Sequence, residues 1–137
     1  MWQFYAILAA VFASLTAIFA KIGVSGVNSN LATAVRTLVI LFITWGIALA
    51  TTDVRDIKDI SRHTMLFLVL SGLATGASWL CYFKAMQIGD ASKVAPVDKL
   101  SVVFTIVLAF AFLGEPLSAK VVVGGLLILA GSLVIAF

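Results

Sequence analysis

The sequence predicts an all-α membrane protein with five transmembrane helices. Three observations predict it. Hydrophobic residues make up 63% of the 137 positions and charged residues 11%, whereas soluble domains run near half apolar and a quarter charged. Mean hydropathy is +1.19. The apolar residues also gather into five runs, each close to the roughly 20 residues that cross a hydrocarbon core of about 30 Å. Lipid offers the backbone no hydrogen-bond partner, so each run is expected to be helical, with turns confined to the connections.

The first span covers residues 2–20 and is rich in alanine: Ala6, Ala9, Ala10, Ala13, Ala17 and Ala20 line much of it. No Lys or Arg precedes it and no cleavage site with a polar flank follows, so it is expected to remain as a span rather than be removed as a signal peptide. The connection "KIGVSGVNSN" is dense in turn formers. The second span covers residues 31–50 and carries Arg36 in "ATAVRTLVI". Two readings of Arg36 are open: snorkelling to the nearer interface, or lining a cavity that attracts anions. In the next connection, "TTDVRDIKDISRHT", Val54, Ile57 and Ile60 recur at about one turn among Asp and Lys, which predicts a small helix at the headgroup level with solvated charges.

The third span covers residues 65–83. Gly72 and Gly76 form a GxxxG, expected to serve close helix packing or to leave a gap for a ligand. Trp79 and Tyr82 in "SWLCYFKAM" are either interfacial anchors or the ring wall of a cavity. Cys81, the single cysteine, is expected as a small buried side chain, and Lys84 to snorkel at the helix end. "KAMQIGD" is a tight connection to the fourth span, residues 91–113, which opens on "APVDKLSVVF". If Gly89 closes the third helix and Asp90 caps the fourth, Lys99 lies about 13 Å into the membrane, with Pro96 kinking the helix. Alternatively the helix starts at Pro96, with Asp98 in its first turn and Lys99 snorkelling. Adjacent helical residues project about 100° apart, so Asp98 and Lys99 are not expected to pair with each other. In "GEPLSAK", Gly114 is expected to end one helix, Pro116 to open the next, and Glu115 to sit as a cap on its positive end. The fifth span covers residues 117–137, with Gly124, Gly125 and Gly131 as packing positions.

Several function classes are disfavoured. The nine Lys and Arg are scattered singly, with no basic face or aromatic interleaving, so nucleic acid is not an expected partner. A lone cysteine and a lone His63 supply no metal cluster. No nucleophile, base and orienting acid are grouped and no glycine-rich phosphate loop occurs, so neither an enzyme nor a cofactor is expected.

Charge bias sets orientation in a membrane, and here it is nearly absent. Lys21, Arg36, Lys84, Lys93 and Lys99 fall on one side; Arg55, Lys58, Arg62 and Lys120 fall on the side of the N-terminus. With an odd number of spans, two copies inserted in opposite senses would form an antiparallel ten-helix homodimer, the inverted-repeat plan that places a transport site near the membrane midplane. Lys99, Asp98, Arg36, Trp79 and Tyr82 are the candidates to line it, and their net positive charge favours an anionic or zwitterionic small molecule.

The segment "FTIVLAFAFLGEPLSAKVVVGGLLILAGSLVIAF" resembles the end of an EamA domain, and "SWLCYFKAMQIGDASKVAPV" is similar to that domain's passage from third to fourth helix. The likeness, to the drug/metabolite transporter superfamily, runs over residues 1–137 as one such domain, half of the usual inverted tandem. It implies alternating-access export or exchange of small metabolites such as amino acids across a bacterial or archaeal cell membrane. It also implies an alternative, a non-transporting partner subunit of a heteromeric complex such as a lipid-carrier flippase. Ser101 stands where many relatives carry Pro and joins the candidate binding residues. The multidrug branch carries an essential acid in its first helix; this first span has none, so proton antiport by that route is not expected.

Overall fold

A computed structural model describes residues 1–137; the side chain of Val54, one of the apolar positions assigned to the headgroup helix, lies outside the described residues. Five helical stretches are long and apolar enough to cross a membrane: Trp2–Gly23, Ser29–Thr51, Arg62–Ile88, Ala91–Leu113 and Ala119–Ala136. The first three are α1, α2 and α3; the fourth is divided into α4 (Ala91–Asp98) and α5 (Leu100–Leu108), and the last is α6. The chain forms two compact units, Met1–Lys21 with Ile88–Phe137, and Ile22–Gln87.

Helix ends extend beyond the apolar runs because good helix formers continue where hydropathy drops. Lys84, Ala85, Met86 and Gln87 carry α3 to Ile88. The connection to α4 shrinks to Gly89 and Asp90, whose carbonyl accepts from the N–H groups of Lys93 and Val94 at 3.0 and 2.9 Å. Lys21, at the end of α1, donates its Nζ to the Gly89 carbonyl at 2.7 Å. A cation thus covers an acceptor that lipid would leave bare. Between α1 and α2, Gly26 takes φ 77°, the left-handed backbone that glycine adopts without a Cβ clash. Asn28 then caps α2, its side chain accepting from the Asn30 N–H at 2.9 Å.

The segment Val54–Asp59 is a 3-10 helix, capped by Asp53 Oδ1, which accepts from the Arg55 N–H at 3.0 Å. The spacing of three between Ile57 and Ile60 is the period of that tighter helix, which eclipses residues i and i+3.

In the unit of Met1–Lys21 and Ile88–Phe137, α6 packs along α4 and α5. Gly125 is the close-approach point: a Cβ there would stand 3.0 Å from Ile106 Cδ1. Gly124, Gly131, Gly72 and Gly76 have open space where a Cβ would go, so packing is assigned to Gly125 alone. The alanine stripe of α1 is buried only at Ala17 and Ala20. Cys81 is exposed rather than buried; α3 turns Phe83 inward, and two residues away along a helix is roughly the opposite side.

The end of α5 widens into a π-helical turn, Ala109–Leu113, closed by Gly114 at φ 66°. The Glu115 N–H reaches back to the Ala109 carbonyl at 3.3 Å. Pro116 does not open α6, and Glu115 is not its cap. Ser118 caps it instead, Oγ accepting from the Val121 N–H at 3.3 Å. A hydroxyl three residues before an open N–H has the geometry for this, and Glu115 is too far upstream.

Two stability predictions come from this packing, both read as unfolding free energy in mixed detergent micelles. Gly125→Leu is expected to lose about 1–3 kcal/mol by overpacking against Ile106, while Gly131→Leu stays within about 0.5 kcal/mol of wild type. Ser132→Ala, which removes a donor to the Pro96 carbonyl at 2.9 Å, is expected to lose about 0.6 kcal/mol and no more than about 1.7.

Candidate functional site

The candidate residues gather in two clusters, one in each unit. In the unit Ile22–Gln87, Arg36 projects from the second turn of α2 onto α3. Its guanidinium carbon lies 4.0 Å from the centroid of the Trp79 ring and 5.4 Å from that of Phe83. Tyr82 lies on the same stretch of α3, next to Phe83, and the structure brings Arg36 and Trp79 together. Rings four residues apart share one helix face, and Trp79 and Phe83 do so. Phe83 was not among the sequence candidates, although that spacing from Trp79 was the signal for it. A cation over an aromatic face is attracted by the ring quadrupole, most strongly for Trp.

The same helix pair borders a groove of about 440 Å³ lined by Asn30, Thr33, Thr37, Leu38, Gly76 and Leu80. Of the GxxxG pair, Gly76 therefore borders open volume instead of a tight helix contact. The threonines are committed to their own helix: Thr33 Oγ1 donates to the Ser29 carbonyl at 2.8 Å and Thr37 Oγ1 to the Thr33 carbonyl at 2.7 Å.

In the other unit, the fourth span runs from Ala91, with Pro96 inside α4, so it does not start at Pro96. It tightens three residues after the proline. Lys99 has ψ −7°, its N–H bonds to the Pro96 carbonyl at 3.0 Å, and its own carbonyl accepts from Val102 at 3.0 Å. Both are i to i+3 contacts, a single tightened turn between two α segments. The Pro96 carbonyl takes its second hydrogen bond from Ser132 Oγ of α6 at 2.9 Å, a contact that sequence reading did not find, since nothing in "AGSLVIAF" points to a partner 36 residues upstream.

The structure also corrects the expectation that Asp98 and Lys99 would not pair. Lys99 Nζ lies 3.7 Å from Asp98 Oδ2, with the side chains 55% and 40% exposed. The turn at Lys99 is tightened, with ψ −7°, and its flexible four-carbon stem can swing back over the preceding residue. Ser101 is exposed in the first turn of α5, close in sequence to the pair. At about 1.5 Å per residue, Lys99 lies about 12 Å along the span from Ala91, so a charged pair and a tightened turn coincide well inside the membrane-spanning stretch.

Comparison with known proteins gives the family of the chain. The sequence model of the EamA-like transporter family matches residues 1–137. A protein of Sinorhizobium sp named as an uncharacterized transporter in a cobO 3′ region is 51% identical over 135 residues, covering 98% of this chain and 96% of that one. No solved structure matches. The protein is a multi-pass membrane protein of the drug/metabolite transporter type, and the chain belongs to the EamA-like transporter family.

Proposed function

We propose that the protein exports or exchanges small anionic or zwitterionic metabolites, amino acids among them, by alternating access as an antiparallel homodimer in a bacterial or archaeal cell membrane. The observation that carries the reading is the charged pair Asp98 and Lys99, seated at a tightened turn about 12 Å along the fourth span. Ionisable side chains at that depth face a cavity or a partner and mark the path of a substrate or ion.

Each candidate has a role in this reading. Lys99 attracts the anionic group of the cargo, and Asp98 holds the lysine when the site is empty and meets an ammonium when the cargo carries one. Ser101 offers a hydroxyl at the start of α5. Arg36, Trp79 and Tyr82 supply a second cationic and aromatic surface. Cargo crosses unchanged, with no covalent step. The antiparallel arrangement draws its support from the near-even split of Lys and Arg between the two sides.

The test is counterflow of radiolabelled amino acids in proteoliposomes. Lys99→Ala is expected to lower the rate by roughly 10- to 100-fold, the loss of one hydrogen bond to a charged group worth about 1.5–3 kcal/mol, with the oligomeric state unchanged. Wild-type rates from an intact Lys99→Ala assembly would remove the charged pair from the transport site.

A further inference from the structure

The geometry of the unit Ile22–Gln87 discriminates between the two readings of Arg36. Gln87 Nε2 donates to the Val27 carbonyl at 2.7 Å, which ties the end of α3 to the start of α2 and gives both helices one reference level. From that level, Trp79 lies about 12 Å along α3 and Phe83 about 6 Å, while Arg36 lies about 10 Å along α2 from Ser29. The guanidinium is nearer the deeper ring, at 4.0 Å against 5.4 Å. A snorkelling arginine would be drawn the other way, toward Phe83 and the near interface.

The guanidinium also lacks an anion. Within this unit the carboxylates are Asp53, Asp56 and Asp59, all beyond the opposite end of α2. Among the described residues no carboxylate pairs with Arg36, whereas Lys99 pairs with Asp98. Trp79 and Phe83 offer the guanidinium ring faces, which do not take the place of an acceptor for its N–H fork. That fork matches two oxygens of one acid group, a match that a lysine ammonium cannot reproduce. An ionisable side chain held inside a span without a partner marks a ligand position.

We propose that Arg36, stacked on Trp79, is an oxyanion-binding site, occupied by the acid group of a soluble metabolite or of a lipid headgroup. The metabolite case rests on the transporter reading above; the binding chemistry itself does not.

Trp79 reports its own occupancy. With Trp2→Phe and Trp45→Phe, it is the one remaining tryptophan of three. This protein, in phosphatidylcholine nanodiscs, is titrated with succinate and with inorganic phosphate, and separately rebuilt in discs containing phosphatidylglycerol. The expected result is a saturable change in Trp79 emission, shifted at least tenfold to higher concentration by Arg36→Lys and abolished by Arg36→Gln. A response to the soluble anions identifies a metabolite source, and a response to phosphatidylglycerol alone identifies a headgroup; either supports the site. No response to any of these probes, or an Arg36→Lys protein of unchanged helicity that responds as the parent does, overturns it. Counterflow is read separately. Transport without an Arg36-dependent signal overturns this site and leaves the transporter reading, whereas an Arg36-dependent signal without transport does the reverse.

Discussion

Hydrocarbon supplies no hydrogen-bond partner to the backbone, and this constraint organises the molecule. Inside a helix the i to i+4 ladder satisfies it. At several places where the ladder is interrupted, another group takes over. Lys21 covers the Gly89 carbonyl, Gln87 the Val27 carbonyl, and Ser132 shares the Pro96 carbonyl with the Lys99 N–H. Asn28 and Ser118 take the open N–H groups of α2 and α6. These contacts come mostly from small or flexible polar residues set in otherwise apolar segments, which explains why so few polar side chains suffice.

The same medium makes charge expensive. A charged residue at the bilayer centre costs at least about 2.5–3.5 kcal/mol, so retaining Arg36, Asp98 and Lys99 needs compensation or a use. The structure offers partial compensation for each: an aromatic face for Arg36 and a neighbouring opposite charge for Lys99 and Asp98. Neither arrangement fills the hydrogen-bonding capacity of these groups. A ring face does not take the place of an acceptor for a guanidinium, and a pair at 3.7 Å is loose beside a charge-assisted hydrogen bond of about 2.7–2.9 Å. That leftover capacity is what the proposed cargo would use.

The five spans were legible because length and hydropathy decide membrane crossing almost by themselves. The boundaries were less legible, since hydropathy stops at Phe83 while helix propensity continues through Lys84 to Ile88. Pro96 signalled a disturbance in the fourth span but not its position three residues later, which depends on the Lys99 turn and on Ser132 from another helix. Pro116 invited a helix start by the usual preference for proline in a first turn. The left-handed Gly114 and the π turn before it changed the path of the chain, and the cap fell to Ser118. At Arg36 the sequence offered a charge and, on another helix, two rings; only the structure shows that they stack.

The account stands most directly on orientation. Single cysteines placed after Phe137 in a Cys81→Ala background can be labelled in intact cells with a membrane-impermeant maleimide, then again after permeabilisation. Comparable labelling of two populations, one reached from outside and one only after permeabilisation, is the result predicted for copies inserted both ways. A single population, all reached from one side, would contradict the antiparallel assembly.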